Sequence, residues 1–166
     1  MPHLRRFLVA VDFSDSSLAA AELAVQLGGS VGARVDFLHV WRPLGDTPPP
    51  EDILAAFASS PQGAQMRSLL ERISQTADVD ARGRVVPSSR DVPDVILEIA
   101  SSEGYDLLVI GMHLHEGLSA ILKDGVAATV TRRAACPVIM VPAAAIEAMF
   151  QRPSEEIRAD PRAWVS

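Results

Sequence analysis

Residues 105–142 decide the fold. The segment begins Tyr105-Asp106-Leu107-Leu108-Val109-Ile110-Gly111 and ends Ala135-Cys136-Pro137-Val138-Ile139-Met140-Val141-Pro142. Each end is a short, continuous apolar run, the pattern of a strand covered on both faces. Between them lie a polar, glycine-bearing loop and a helix-like stretch over residues 125–133. Strand, loop, helix and strand make a βαβ unit. In open parallel sheets, ligands settle where the C-terminal end of a strand meets the N-terminus of the next helix.

The same alternation runs through the rest of the chain. Residues 6–12 (RFLVAVD) form a first apolar run, and Ser14 and Asp15 suit the start of a helix. That helix carries Leu18, Leu23, Val25 and Leu27 among alanines, and the pair Gly28-Gly29 is expected to end it. Strands are predicted at residues 33–40, 81–87, 106–110 and 137–141. Helices are predicted at residues 62–76, after Asp91 with Pro93 in the first turn, and at 125–133. Asp124 is read as the cap of this last helix. Five strands alternating with helices predict an α/β fold: a doubly wound, five-stranded parallel sheet with helices on both faces.

Two segments fall outside this plan. Residues 41–61 hold Pro43, Pro48, Pro49, Pro50 and Pro61, with a short helical turn expected at residues 52–57. The connection is long for a βα link. Its apolar residues Ile53, Leu54 and Phe57 predict either a cover folded over the crevice or a dimer partner, or a mobile surface loop. The second segment is a tail at residues 143–166, helical at first, with Ile146, Met149 and Phe150 on one stripe. Residues 1–142 are thus expected to form one domain followed by that tail.

The chain has 166 residues, 48% of them apolar and 22% charged, which are the proportions of one globular domain. Its net charge of −6 argues against nucleic acid and against anionic lipid as partners. No apolar run approaches the roughly 20 residues that cross a bilayer. The apolar run near the N-terminus is too short for a signal peptide, so a cytoplasmic location is expected. The single cysteine, Cys136, excludes an internal disulfide.

Four motifs in order resemble the universal stress protein family. They are Val9-Ala10-Val11-Asp12-Phe13-Ser14, Phe37-Leu38-His39-Val40, residues 106–111, and Cys136-Pro137-Val138 through Pro142. Together they span about residues 4–142. The resemblance implies a cytoplasmic, stress-linked homodimer, paired through its fifth strand at Pro137, Val138, Ile139, Met140 and Val141. It also implies a nucleotide crevice at Ala10, Val11, Asp12, Val40, Gly111, Leu114, Asp124, Gly125 and Val126. The ATP-binding branch of the family carries Gly-x2-Gly-x9-Gly-(Ser/Thr). Counted in register here, Gly111 fills the first position, Leu114 the second, Asp124 the third and Gly125 the Ser/Thr position. One motif glycine of three remains. A leucine β-carbon stands where phosphate needs close backbone approach, and a carboxylate stands where an anion would bind. No cofactor is therefore required, and ATP or AMP is expected to bind weakly if at all.

These features point to a regulatory or binding module with an unknown protein partner rather than a catalyst. The alternatives are a nucleotide-binding switch and, from a different class, a weak adenylating or phosphohydrolase enzyme. His113, His115 and Glu116 pose a metal question but lack a third ligand at suitable spacing, so they read as a solvated loop and no metal is expected. Cys136, with no CxxC partner, reads as a small core residue. Ser14-Asp15-Ser16-Ser17 lacks the glycines of a pyrophosphate loop. No nucleophile–base pair or paired-carboxylate arrangement appears in the sequence.

Overall fold

The computed structural model describes residues 4–43, 45–46, 48–112 and 125–144. The strands are β1 (Arg6–Ala10), β2 (Arg34–Trp41), β3 (Ala81–Pro87), β4 (Leu107–Met112) and β5 (Val138–Pro142). The helices are α1 (Asp15–Val31), α2 (Ile53–Ala58), α3 (Pro61–Thr76), α4 (Val92–Ser102) and α5 (Val126–Arg133). All four strand pairings are parallel, in the order β3-β2-β1-β4-β5. The chain winds outward from β1 to β3, then returns to β4 on the other side. The switch point therefore lies between β1 and β4, where their C-terminal ends diverge.

Strand alternation divides the core into two layers. Phe7, Val9, Val35, Phe37, Leu107 and Val109 pack on one face under the alanines of α1 and under Met66, Leu69 and Ile73 of α3. Leu8, Ala10, Leu38, Leu108 and Ile110 pack on the other under Ile96 of α4 and Val130 of α5. This is the doubly wound α/β sheet expected. Each fully buried leucine or phenylalanine contributes about 1.5–3 kcal/mol.

Two helix termini differ from expectation. The Gly28-Gly29 pair does not end α1, which runs on to Val31 and stops at Gly32 in a left-handed conformation (φ 67°). Gly28 is instead a packing residue: a β-carbon there would lie 2.6 Å from Val35 Cγ2. At α5 the N-cap is Gly125, so the cap expected at Asp124 is displaced by one residue. Asp91 does hold the N-cap of α4, but its side chain makes no capping bond.

The long connection is partly ordered by its own sequence. A 3-10 turn (Pro50–Asp52) leads into α2, as the expected helical turn at residues 52–57 required. Phe57 is buried and meets the Trp41 ring edge-on at 5.5 Å, while Leu54 is 73% exposed. The segment thus folds back onto the end of β2 and the adjoining core through Phe57, with Ala56 partly packed beside it, while Leu54 stays exposed. The tail beyond Ala144, with Ile146, Met149 and Phe150, lies outside the described residues.

A charged cluster ties together the N-terminal ends of the strands. Asp36 of β2 is 2% exposed. It accepts bonds from Arg34 Nη2 (2.9 Å) and from the Tyr105 hydroxyl (2.7 Å). Arg84 of β3 grips Glu103 in a bidentate pair, both bonds 2.7 Å, and donates to the Tyr105 oxygen. The Arg6 guanidinium lies 4.5 Å from the Tyr105 ring centroid and donates to the Glu103 carbonyl. The Arg84 pair holds the Glu103 carboxyl below its ordinary value of 4.5. Its contribution to stability is therefore complete above that value and is lost as pH falls through the lower folded value. Acid titration followed by circular dichroism should show Glu103→Gln flattening the pH dependence below about pH 4.5.

Candidate functional site

The candidate site lies at the switch point, among the turn after β1, the end of β2, the end of β4 and the start of α5. Pairing extends one residue past β1, because the Val11 amide donates to the Leu38 carbonyl (2.9 Å). Asp12 then turns the chain. Its Oδ1 accepts from the Ser14 amide (3.0 Å) and from the Ser14 hydroxyl, and its own amide donates to Ser17 Oγ (3.3 Å). Ser14 caps α1, as expected. Phe13, between them, has φ 65°, the left-handed region that a phenylalanine rarely occupies. Asp12 is exposed at the rim, and its carboxylate helps to shape the turn.

Gly111 has a steric reason of its own. A β-carbon built there would stand 2.4 Å from the Ser16 carbonyl carbon and 2.5 Å from the Ser17 nitrogen. The first turn of α1 crosses β4 at this point, and only glycine lets the two backbones meet. Gly111→Ala should therefore cost about 1–3 kcal/mol in chemical denaturation. An unchanged midpoint would mean that α1 can shift at no cost.

Gly125 differs from Gly111. No atom of the described residues lies within 4 Å of its β-carbon position, and its backbone is extended (φ −110°, ψ 160°). It places no side-chain cap on α5, so the first-turn amides of Val126 and its successors carry the helix's positive end toward the crevice. Among the expected site residues, Ala10 and Val11 are buried, Val40 and Gly111 are half-buried, and Gly125 and Val126 are exposed. Leu114 and Asp124, together with His113, His115 and Glu116, lie outside the described residues. No group of three or more His, Cys, Asp or Glu among the described residues could hold a metal ion. Cys136 is half-buried and packs with the α4–α5 layer, where burial pushes its thiol above the ordinary range.

Sequence reading missed His39 as part of this site. His39 follows Val35 and Phe37 on one face of β2, and its Nδ1 donates to the Val11 carbonyl at 2.8 Å. Its ring lies 5.0 Å from Phe13 and 5.8 Å from Phe57. A polar side chain in an apolar inward row was the available signal. Its partners sit elsewhere in the chain and emerge only from the fold.

Comparison with known proteins agrees with this architecture. A profile described as the universal stress protein family matches residues 3–142. Universal stress protein YxiE of Bacillus subtilis is 25% identical over 144 residues, covering 82% of this chain and 97% of that protein. Universal stress protein A homolog 1 of Coxiella burnetii is 27% identical over 149 residues, covering 84% and 96% respectively. A solved universal stress protein in complex with cAMP shares the fold at a TM-score of 0.68 and 26% identity, over 84% of this chain and 98% of that one.

Proposed function

Because the chain belongs to the universal stress protein family, we propose that it is a homodimeric regulatory module whose crevice takes an adenine nucleotide weakly and does no chemistry on it. The observation that carries this reading is the N-terminus of α5, which follows β4 beside the switch point and whose N-cap, Gly125, puts no side-chain bond on the first-turn amides. The similar protein solved with cAMP supports a nucleotide of low phosphate content. Leu114 and Asp124 at two glycine positions weigh against a firm grip on a triphosphate. The rim groups favour binding over catalysis. Ser14 is engaged with Asp12 and the α1 amides, and His39 commits Nδ1 to a carbonyl.

Calorimetry tests this directly. AMP and Mg-ATP should each bind with a Kd of about 10 µM or weaker, with no release of phosphate over hours. Submicromolar ATP binding or steady phosphate release would overturn the weak-binding, non-catalytic reading. No heat with millimolar AMP would leave only a protein-binding module.

The dimer is proposed to form along β5. This strand ends the sheet order, and Val138, Ile139 and Met140 are only half-buried in the single chain. The Leu108 amide donates to the Pro137 carbonyl (3.0 Å), so by alternation the backbone groups of Val138 and Met140 point away from β4. An unpaired apolar edge of this kind invites self-complementary pairing. Met140→Pro removes an outward amide that β4 does not use. It should give a folded monomer by light scattering, and an unchanged mass would place the interface elsewhere.

A further inference from the structure

We infer that His39 is a positioning residue that couples α2 to the rim of the crevice, so that the seating of α2 and the turn after β1 change together. The ligand half of this inference, that a bound nucleotide is felt at α2, rests on the function proposed above.

Three observations meet at this side chain. Val11 is held to β2 at both backbone groups, its amide by the Leu38 carbonyl (2.9 Å) and its carbonyl by His39 Nδ1 (2.8 Å). A carbonyl can only accept, so Nδ1 carries the proton and the ring orientation is fixed. Phe13 holds φ 65°, a conformation that persists in a non-glycine residue only where its surroundings enforce it. Its ring lies 5.0 Å from the His39 ring. Third, Phe57 is the buried residue of α2, and it touches both His39 (5.8 Å) and Trp41 (5.5 Å).

Phe57 is the one buried residue of α2, beside a partly packed Ala56 and a bond from Arg67 to the Ala58 carbonyl, while Leu54 is 73% exposed. Loss of the Phe57 contact therefore loosens α2 and frees one flank of His39 at once. On the other side, Phe13 is flanked by Asp12 and Ser14, whose mutual bond shapes the rim. A rotation at Phe13 moves both. The path from α2 to the rim thus runs Phe57, His39, then Phe13 and Val11, each step a ring contact or a hydrogen bond.

Hydrogen exchange on the ligand-free protein tests the coupling. Phe57→Ala should speed exchange about tenfold at residues 12–17 as well as at 53–58, while the β4 amides stay slow. His39→Phe, which keeps a ring and drops the bond, should loosen residues 12–17 and leave 53–58 protected. His39→Asn, which keeps a donor and drops the ring, should loosen 53–58 more than His39→Phe does. If Phe57→Ala frees only 53–58, or all variants loosen β4 equally, the coupling is absent and His39 is ordinary packing. Should Phe57→Ala fail to fold, Phe57→Leu asks the same question. In a second arm, 5′-AMP should slow exchange at 53–58 in the native chain and not in His39→Phe. AMP that binds by calorimetry without changing 53–58 overturns the ligand half. Absence of AMP binding removes that half together with the nucleotide reading, and the ligand-free arm alone then decides the coupling.

Discussion

Replacing Asp36 by alanine is expected to lower the unfolding free energy by about 3 kcal/mol or more, and Tm by roughly 6–12 °C for a chain of this length. The carboxylate is 2% exposed and carries the Tyr105 hydroxyl, Arg34 and, at 3.9 Å, Arg6. Without it, the buried hydroxyl of Tyr105 loses its acceptor, which alone costs about 1–3 kcal/mol. Arg6 stays pinned over the Tyr105 ring and keeps Glu103, at 3.8 Å, as its remaining counter-charge. Arg34 is about as exposed as Arg6, 28% against 33%, and can turn to water, so it adds less. Two companion variants separate these parts. Tyr105→Phe should cost only about 0.5–1.5 kcal/mol, because its partners keep each other. The Asp36–Tyr105 double variant should be less damaging than the sum of the two changes. A loss below about 1 kcal/mol for Asp36→Ala would show that the cluster is solvated rather than structural.

That cluster also shows where sequence reading stops. The five strands were legible because each is a continuous apolar run, and such runs survive only in a sheet covered on both faces. Right-handed crossovers then limit the possible orders, but the reversal that places β4 beside β1 is seen only in the fold. Asp36 lies in the middle of such a run, where a buried charge needs partners, and it was not singled out from the sequence. Which partners it would find depends on β3 and the start of β4 lying beside β2, and no local pattern encodes that. Gly28 misled for a related reason. Glycine ends helices but also lets a helix press on a strand, and only the Val35 side chain 2.6 Å from its β-carbon position distinguishes the two. At the candidate site, Asp12, Val40, Gly111 and Gly125 were named from the sequence, and the fold places them after β1, in β2, in β4 and at the start of α5. His39 was not, because its role arises from Phe13 and Phe57, brought together by tertiary structure.

The double substitution Leu114→Gly with Asp124→Gly is expected to raise Mg-ATP affinity by about a hundredfold, while AMP affinity rises less. The main cause is electrostatic. A carboxylate about 5 Å from a phosphate oxygen, at an effective dielectric of about 20, repels it by about 3 kcal/mol per charge pair. That equals about two decades in Kd. A triphosphate brings more negative charge to the start of α5 than a monophosphate does, so ATP gains more from the neutralisation. The leucine is expected to act sterically, since the motif register assigns it to a glycine position where backbone amides would approach the phosphates, and its effect should add to that of the aspartate. The single variants order the two causes. Asp124→Asn should recover most of the charge term and flatten the salt dependence of ATP binding. Leu114→Gly alone should leave that salt dependence intact. Gly125 supplies the remaining piece, because it already leaves the first turn of α5 without a side-chain cap. If the double variant binds ATP no better than the native chain, the weakness has another source. The candidate is then the coupling through His39, whose variants would have to change ATP affinity where the loop substitutions had not.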